Sequence, residues 1–381
     1  VREIILLLTY MNRPMNMKKL FAYVLLLALV SCNNPKTKPV TVTPEVMREI
    51  YEEIKTPYKY GLVMTGADAD KMTDCPTIIR RDGKWYMYYF VFDGRGYETW
   101  LAESENLLDW TTTGRVLSFS DEKDWDYNQK GGYIALPNTR WGGDYSLEQY
   151  NGKYWMSYFG GPSVGYEAGL LSVGIAYTED NPTLPHEWQR LDNPVLMATD
   201  KDAAWWDNIT IYKNSIVRDP ERLTGYDFLM YYNAKGDSVS KSSHIERIGM
   251  AVSNDMINWE RWGNAPLLEH KGHRAITGDA YLQKIGDVWV MFYFGAHWEQ
   301  RQGQAWNTFA CSYDLVNWTD WTGEDLVKPS EDYDAKYAHK SCVIKHDGVV
   351  YHFYCAVDKQ GRRGIALATS RDVGKSSIVY R

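Results

Sequence analysis

The chain has 381 residues, 44% of them hydrophobic and 24% charged, which is the composition of a globular protein and excludes a disordered or collagen-like chain. Its 42 basic and 49 acidic residues give a net charge of −7, and no Lys/Arg cluster forms the basic face of a nucleic-acid binder, so no nucleic-acid partner is expected. The 16 Trp and 29 Tyr suit both half-buried strands and sugar-binding surfaces.

Residues 1–31 predict an export signal of the lipoprotein type. Lys18 and Lys19 precede an apolar run over residues 20–30, which is too short to span a bilayer as a helix. The residues before Met17 are interpreted as an over-extended start of the sequence.

The end of this segment, Leu29-Val30-Ser31-Cys32, resembles a bacterial lipobox. The resemblance implies that Cys32 is lipidated and that the protein lies in the bacterial cell envelope, on the periplasmic face or the cell surface, touching the membrane only through this anchor. Residues 32–57 predict a solvated tether and a lead-in, with a short helix over 44–55. The later cysteines lie in apolar strand patterns and are expected to be buried free thiols: Cys75, Cys311, Cys342 and Cys355.

A fivefold repeat organises residues 58–381. Each unit starts with an apolar strand, a polar turn and an aromatic strand, and continues with a small-residue strand and a turn that usually precedes a Trp, as in 251–259. Four short strands repeated five times predict an all-β fold, a single five-bladed β-propeller of four-stranded blades. A strand over 58–65 is expected to complete the last blade. The first halves of the units are 77–89, 147–158, 209–232, 281–293 and 342–354.

The first residues of the innermost strands are the candidate site residues, because these strands begin at one face of a propeller and converge on a central pocket. Aligning the blades on their first hairpin turn gives one set of residues, in blade order: Asp74; Gly143 followed by Asp144; Asp207; Thr277 with Asp279 two residues later; and His339.

Blade one carries a more specific signal. Asp74-Cys75-Pro76, followed by an apolar strand and an aromatic run over 83–89, resembles the five-bladed glycoside hydrolases of families 43, 32, 62 and 117, and is closest in pattern to 43 and 117. The resemblance covers nearly all of the sequence after the signal segment. It implies a glycoside hydrolase that acts on an oligosaccharide and requires no cofactor, with Asp74 as general base and Asp207 as the residue that tunes the acid and orients the substrate.

The position of the general acid departs from the pattern of family 43. That family has a Glu where this sequence has Thr277, and a threonine cannot protonate a leaving group near neutral pH. Asp279 is the favoured replacement, provided that a bulge turns it inward. His273 is the second candidate, because family 117 enzymes are thought to use a His as the acid, and Glu269 and His270 lie nearby.

The remaining candidates are substrate contacts. His339 stands where family 43 enzymes often have a His near a central water or metal ion, and Arg140 is a candidate for holding a carboxylate or sulfate. Asp68 and Asp70 are too few to argue for a cation site, so a structural divalent cation is left undecided. The aromatic candidates for stacking on sugar, with packing as the alternative role, are Trp141, Trp205, Trp206, Trp298 and Tyr145.

These observations predict an exo-acting glycoside hydrolase that removes terminal furanose, pentose or anhydrosugar units from plant or algal oligosaccharides. Inversion follows from the resemblance and predicts carboxyl groups roughly 6.5–9.5 Å apart. Two alternatives stay open. A non-catalytic sugar-binding lipoprotein is suggested by Thr277, and a phosphorylase of the related family 130 would need a basic cluster of which the strand starts show only Lys340.

Overall fold

The computed structural model describes residues 41–67, 71–236 and 244–381. The expected signal segment, the lipidation site Cys32, most of the tether, and Asp68 and Asp70 lie outside these described residues. Among the residues described, no helix is long and apolar enough to cross a membrane. The later cysteines Cys75, Cys311, Cys342 and Cys355 are buried and free, which confirms the expectation for them.

The described part of the protein begins with helix α1 (Pro44–Ile54) and strand β1 (Tyr58–Thr65). The helix starts where Thr43 caps it and Pro44 provides a preset φ. It ends within one residue of the predicted boundary and buries Met47, Ile50 and Ile54 against the propeller core.

Five antiparallel blades follow, each with its innermost strand first. Blade one contains β2 (Met72–Arg81), β3 (Lys84–Phe92), β4 (Tyr97–Ser104) and β5 (Thr111–Leu117). Blade two contains β6 (Gln129–Ile134), β7 (Tyr154–Gly161), β8 (Ser172–Thr178) and β9 (Gln189–Arg190). Blade three contains β10 (Thr210–Arg218), β11 (Phe228–Lys235), β12 (Glu246–Ser253) and β13 (Glu260–Arg261).

Blade four contains β14 (Ile276–Ile285), β15 (Val288–Ala296), β16 (Ala305–Ser312) and β17 (Thr319–Asp320). A 3₁₀ turn (Asp332–Asp334) leads into blade five, which contains β18 (Tyr337–His346), β19 (Val349–Val357) and β20 (Arg363–Thr369). Strand β1 pairs antiparallel with β20, with Leu62 opposite Ala366. The N-terminal strand therefore closes the ring, as predicted, and the five-bladed propeller is confirmed.

The repeated motif that ends in Trp is a tight turn. Ser253 Oγ accepts a hydrogen bond from the Met256 N–H, and Trp259 Nε1 donates to the Met256 carbonyl. The same pair of bonds recurs around Leu107 and Leu315. This motif is therefore structural, and it explains part of the Trp content of the sequence.

A β-bulge recurs at the fourth residue of four innermost strands. The register shifts there in β2, β10, β14 and β18. The bulged residues have positive φ, which is uncommon outside glycine, and bulges of this kind re-aim side chains and are frequent beside active sites. The bulge on which a role of Asp279 as the acid depends is present. The four residues are Cys75 (φ 46°), Lys213 (27°), Asp279 (56°) and Lys340 (63°).

Blade two differs from the prediction. Its innermost strand is Gln129–Ile134, not the segment before Asn151-Gly152, so Gly143 and Asp144 do not begin a strand of the blade. The Asn151-Gly152 turn does form, but it closes only a bridge between Tyr150 and Lys153. The true strand was missed because it lacks an apolar pattern. It includes Gly131, where a Cβ would lie 2.5 Å from the Phe159 ring.

Residues 135–153, between β6 and β7, close the far end of the central channel; we call this segment the plug. The plug reaches the final residues of the innermost strands of the other four blades. The Tyr145 carbonyl accepts from Arg80 N–H (2.9 Å), Leu136 N–H donates to Ile216 (3.2 Å), Trp141 N–H donates to Lys284 (3.0 Å), and Lys345 N–H donates to the Tyr145 hydroxyl (2.7 Å).

Candidate active site

Asp74 lies at the hub, immediately before the β2 bulge, and its carboxylate is fully enclosed. Lys340 Nζ, Arg363 Nη1 and the Tyr97 hydroxyl donate to Oδ2 at 2.6, 2.8 and 3.1 Å. The Cys75 N–H donates to Oδ1 at 3.0 Å. Because both oxygens accept hydrogen bonds from the protein and the side chain has no exposed surface, the Asp74 carboxylate does not contact a sugar in this arrangement.

Charge determines the ionisation state of Asp74. Burial alone would raise its pKa, but Lys340 and Arg363 outweigh burial and hold the pKa well below the usual range. The pKa of the neighbouring His339 is also well below its ordinary value, because burial and these two cations all disfavour the charged imidazolium. His339 is therefore neutral; it is buried and its Nδ1 lies 3.1 Å from the Cys355 carbonyl.

Asp279 is the second hub aspartate, and the bulge of β14 holds it. The Tyr133 hydroxyl donates to Oδ1 at 3.1 Å, while Lys213 Nζ lies 3.9 Å from Oδ2, which has no hydrogen bond. Burial raises the pKa of Asp279, although the two lysines Lys213 and Lys340 oppose that rise.

The space beside Asp279 is too small for a sugar. Its volume is about 20 Å³, which is room for roughly one water molecule. Asp279 therefore faces the interior of the channel rather than an open pocket. The lining includes Thr77, Tyr133, Asn214, Asp279, Lys340 and Ser341.

Glu167 completes the cluster from a loop that the sequence analysis did not single out. It lies between β7 and β8, and its Oε1 is 3.1 Å from Lys213 Nζ and 3.8 Å from Lys340 Nζ. Its side chain is 11% exposed, unlike that of Asp74. Burial would raise its pKa, but Lys213 and Lys340 more than offset burial and lower it. Glu167 is an ionised carboxylate that solvent reaches.

Glu246 is a second glutamate on the same side of the lysines. It is the first residue of β12, and its N–H donates to the Ala275 carbonyl of the next blade (2.9 Å). Oε1 lies 3.2 Å from Lys235 Nζ, and Oε2 has no hydrogen bond. The Glu246 side chain is 6% exposed, and that of its partner Lys235 is 24% exposed. Lys213 Nζ and Lys235 Nζ flank the Tyr212 ring, 5.0 and 5.1 Å from its centre.

The acidic residues thus form two groups. The aspartate pair is Asp74 and Asp279, and the glutamate pair is Glu167 and Glu246. The Asp74 side chain has no exposed surface, those of Asp279 and Glu246 are each 6% exposed, and that of Glu167 is 11% exposed. Glu167 Oε1 faces the ammonium groups of two lysines, and Glu246 Oε2 is buried without a hydrogen bond. Two carboxylates in a partly dry site are suited to acid–base chemistry.

The structure places Asp207 away from this cluster, in a contact that repeats around the ring. Tyr232 of the second strand donates to its Oδ2 at 3.0 Å, and Arg261 of the outer strand at 2.7 Å. Asp126 with Tyr158 and Arg190, and Asp334 with Tyr354 and Lys59, are the equivalents in blades two and five. All three aspartates precede their innermost strand by three residues. Asp207 thus has the contacts of a structural ion pair.

The residues of the β13–β14 region do not join the hub. His273 is exposed on the loop before β14, and Glu269 is bound by Arg247 at 2.8 Å. Thr277 is buried 2.9 Å from His270 Nδ1. Trp298 stacks on His270, with ring centres 3.5 Å apart.

The aromatic candidates divide between the two faces. Trp141 and Tyr145 belong to the plug, with Trp141 Nε1 donating to Glu53 at 2.7 Å, and Arg140 lies beside Trp141, bridged to Lys284 at the end of β14. All three therefore lie at the opposite end of the channel from the glutamate pair. Trp206 is buried against Tyr232.

Trp205 alone of these aromatics keeps an open ring. It is 42% exposed, and the Arg247 guanidinium lies 4.8 Å from its ring centre. Within the described ranges, no group of three or more His, Cys, Asp or Glu side chains could hold a metal ion.

Comparisons with solved structures identify relatives over almost the full chain. A structure described as a complex of BT0996 with RGII is 52% identical, with a TM-score of 0.86, covering 89% of this protein and 99% of the relative. A second, described as "Glycoside hydrolase", is 51% identical with a TM-score of 0.86, covering 90% and 99%. A thermostable family-43 glycoside hydrolase, 15% identical with a TM-score of 0.58 over 83% and 98%, shares the fold.

No protein-family model matches the sequence, and no curated protein matches it. Two relatives more than 50% identical along nearly their whole length nevertheless decide the assignment. The chain belongs to the glycoside hydrolases built on a five-bladed β-propeller.

Proposed function

We propose that the glutamate pair carries out the hydrolysis, with Glu167 acting in its ionised form on the water molecule and Glu246 protonating the departing oxygen. The observation that supports these roles is the 11% exposure of Glu167 and its pairing with Lys213, set against the enclosure of Asp74 and the water-sized space at Asp279. Glu246 is the glutamate paired with the second lysine beside Tyr212, Lys235. Glycoside hydrolysis needs two carboxyl groups that flank the bond. In this proposal Lys213 keeps Glu167 ionised, and the carboxylates of the aspartate pair keep Lys213 and Lys340 in position.

We propose inversion as the stereochemical course. The glutamates pair with different lysines, Lys213 and Lys235, whose ammonium groups lie 5.0 and 5.1 Å from the centre of the Tyr212 ring. This arrangement favours the wider carboxyl separation, about 6.5–9.5 Å, that leaves room for a water molecule. The anomer released first, observed by NMR during hydrolysis, tests this step.

Exo action is supported by the plug. Backbone hydrogen bonds and a bond to the Tyr145 hydroxyl join the plug to the ends of the innermost strands of the four other blades, so the plug lies across the end of the channel behind the hub. A pocket with one opening admits the end of a sugar polymer and excludes its middle. We therefore propose removal of one terminal unit at a time, with a furanose or pentose as the unit.

For the substrate we propose an RGII oligosaccharide. The relative that is 52% identical is described as a complex with RGII. The test is incubation of the purified protein with RGII oligosaccharides and with unrelated plant and algal oligosaccharides. Release of a single monosaccharide from an RGII oligosaccharide supports the proposal, and a product only from the unrelated oligosaccharides refutes it.

The basic residues of the hub suggest phosphorolysis as an alternative reaction. The hub contains Lys213, Lys340 and Arg363, whereas the strand starts in the sequence show only Lys340. All three are already paired with carboxylates at 2.6–3.1 Å, so the hub presents no unpaired cation of this set to phosphate. We propose hydrolysis on this ground. A reaction rate that rises with phosphate concentration would contradict it.

We propose, finally, that the protein works at the cell envelope, anchored through Cys32. The lipobox-like Leu29-Val30-Ser31-Cys32 supports this location. Metabolic labelling with a fatty acid analogue tests it, because label in the wild type and its loss in Cys32→Ser are expected. Equal labelling of the two would contradict the anchor.

A further inference from the structure

The loop that carries Glu167 has little structure of its own. It spans residues 162–171 between β7 and β8, and Gly165, Glu167 and Gly169 all have positive φ. A glutamate at φ 46° is strained, and such a conformation persists only when the surroundings enforce it. Something outside the loop must therefore hold Glu167 beside Lys213.

Gln129 provides that constraint. It is the first residue of β6 and is completely buried. Its Nε2 donates to two carbonyls of the loop, Ser163 at 3.0 Å and Gly165 at 2.5 Å. Its Oε1 accepts from the Tyr97 N–H at 3.2 Å. Both donors and the oxygen of one buried amide thus join the loop to blade one.

Two further contacts fix the same half of the loop. Asn128 Nδ2 donates to the Pro162 carbonyl at 2.7 Å, and the Gly165 N–H donates to the Arg95 carbonyl at 2.8 Å. Each of these is a single bond, whereas Gln129 makes two bonds to the loop from a fully buried side chain, where an unmade hydrogen bond costs most. Gln129 therefore makes more hydrogen bonds to this half of the loop than either of the other two groups.

We propose that Gln129 is a positioning residue of this glycoside hydrolase, clamping the 162–171 loop so that Glu167 stays within reach of Lys213 and Lys340. The inference rests on the catalytic role proposed for Glu167. Without the clamp the loop samples other conformations, Glu167 moves away from the two lysines, and the fraction of productive enzyme falls. Gln129 itself touches no substrate.

The test uses Gln129→Glu, which keeps the size of the side chain and an acceptor for the Tyr97 N–H but removes both donors, and Gln129→Leu, which removes all three bonds. The matched control is Gln283→Leu, because Gln283 is also fully buried and donates to a hydroxyl, that of Tyr281, away from the loop. Hydrolysis of the RGII oligosaccharide is followed as a function of pH, with folding monitored by thermal unfolding.

Both Gln129 variants are expected to lower kcat about 10–100-fold with little change in KM. The acidic limb of the pH profile should move to higher pH, because the pKa of Glu167 rises when the lysines no longer stabilise its charge. If Gln129 were only a structural residue, Gln129→Leu and Gln283→Leu would lower thermal stability alike, and the acidic limb of the pH profile would stay in place.

If Glu167→Gln is inactive but the Gln129 variants have the same activity and pH profile as Gln283→Leu, the positioning role of Gln129 is wrong. If Glu167→Gln keeps full activity, the catalytic role of Glu167 fails instead, and the clamp fails with it. A Gln129 variant that does not fold is replaced by Asn128→Ala together with Gln129→Asn, which weakens the same anchor. An unchanged acidic limb in that variant would equally contradict the clamp.

Discussion

Lys213 Nζ lies 3.1 Å from Glu167 Oε1, joining the bulge of an innermost strand in blade three to a loop of blade two. The lysine side chain is almost fully buried, and the carboxylates around it raise its pKa even though burial opposes this. A buried cation in this position keeps its partner carboxylate ionised. The pair thus sets the charge of the glutamate that we assign to the water molecule.

Replacing Lys213 is expected to shift the pH dependence of hydrolysis. In Lys213→Met the pKa of Glu167 rises, because burial is no longer offset by that ammonium. Since Glu167 acts ionised, activity is lost as pH falls through its pKa, so the acidic limb of kcat/KM should move up by about one pH unit or more. Lys153→Met, on the far rim beside Tyr177, is the control. An unmoved limb in Lys213→Met would contradict the pairing.

Asp207→Asn is expected to affect stability and not catalysis. The substitution removes the charge that faces the buried Arg261, at a cost of about 1–3 kcal/mol in the free energy of unfolding. Asp126→Asn in blade two should behave alike, because its contacts with Tyr158 and Arg190 are equivalent. Urea unfolding and kcat measure the two effects. Loss of kcat with undiminished stability would restore the substrate-orienting role that the family resemblance implies.

Tyr145→Phe tests the plug. The hydroxyl accepts from the N–H groups of Gly142 and Lys345, so its removal should lower the free energy of unfolding by about 1–3 kcal/mol with KM unchanged. Tyr58→Phe, at a half-exposed tyrosine, should stay within about 0.5 kcal/mol of the wild type. A raised KM in Tyr145→Phe would show that the plug contacts substrate after all.

Trp205 is expected to contribute to binding of the oligosaccharide. Its open face, supported by Arg247, is suited to stacking on a sugar ring. Trp205→Ala should raise KM for an oligosaccharide about 2–10-fold, which corresponds to the roughly 0.5–1.5 kcal/mol of an aromatic contact. Trp205→Phe keeps a ring and should lose less. Equal KM values for the wild type and Trp205→Ala would exclude this contact.

The fold was predictable because the repeat consists of side chains that every blade must bury, such as the aromatic residues of the second strand and the Trp of the outer turn. Blade two was misread where this signal fails. Its innermost strand contains Gly131, which packing against Phe159 requires, and a glycine contributes no apolar pattern.

The site was predictable only in part, because the alignment followed the innermost strands. Asp74 and Asp279 were found in this way, and the structure brings them to the hub. Glu246 and Arg363 begin third strands, five residues before the small Ala251 and Ala368 of the repeat, so an alignment of third strands would have revealed both.

Glu167 had no such signal. Its loop belongs to no repeat, and its position depends on a buried amide that lies 38 residues away in the sequence. The catalytic assignment of the aspartates rests on their places along the innermost strands and on the family resemblance, and neither gives the exposed fraction of a side chain. Exposure separates Glu167, which is 11% exposed, from Asp74, which has no exposed surface.

The most direct test of the glutamate pair is the hydrolysis of the RGII oligosaccharide by Glu167→Gln and Glu246→Gln, compared with Glu98→Gln. Glu98 is a buried glutamate near the start of the third strand of blade one, paired with Arg115 rather than with the hub. Both variants of the glutamate pair should fold normally and lose about 10²–10⁴-fold in kcat, while Glu98→Gln keeps its activity. Full activity in either Glu167→Gln or Glu246→Gln would contradict the assignment.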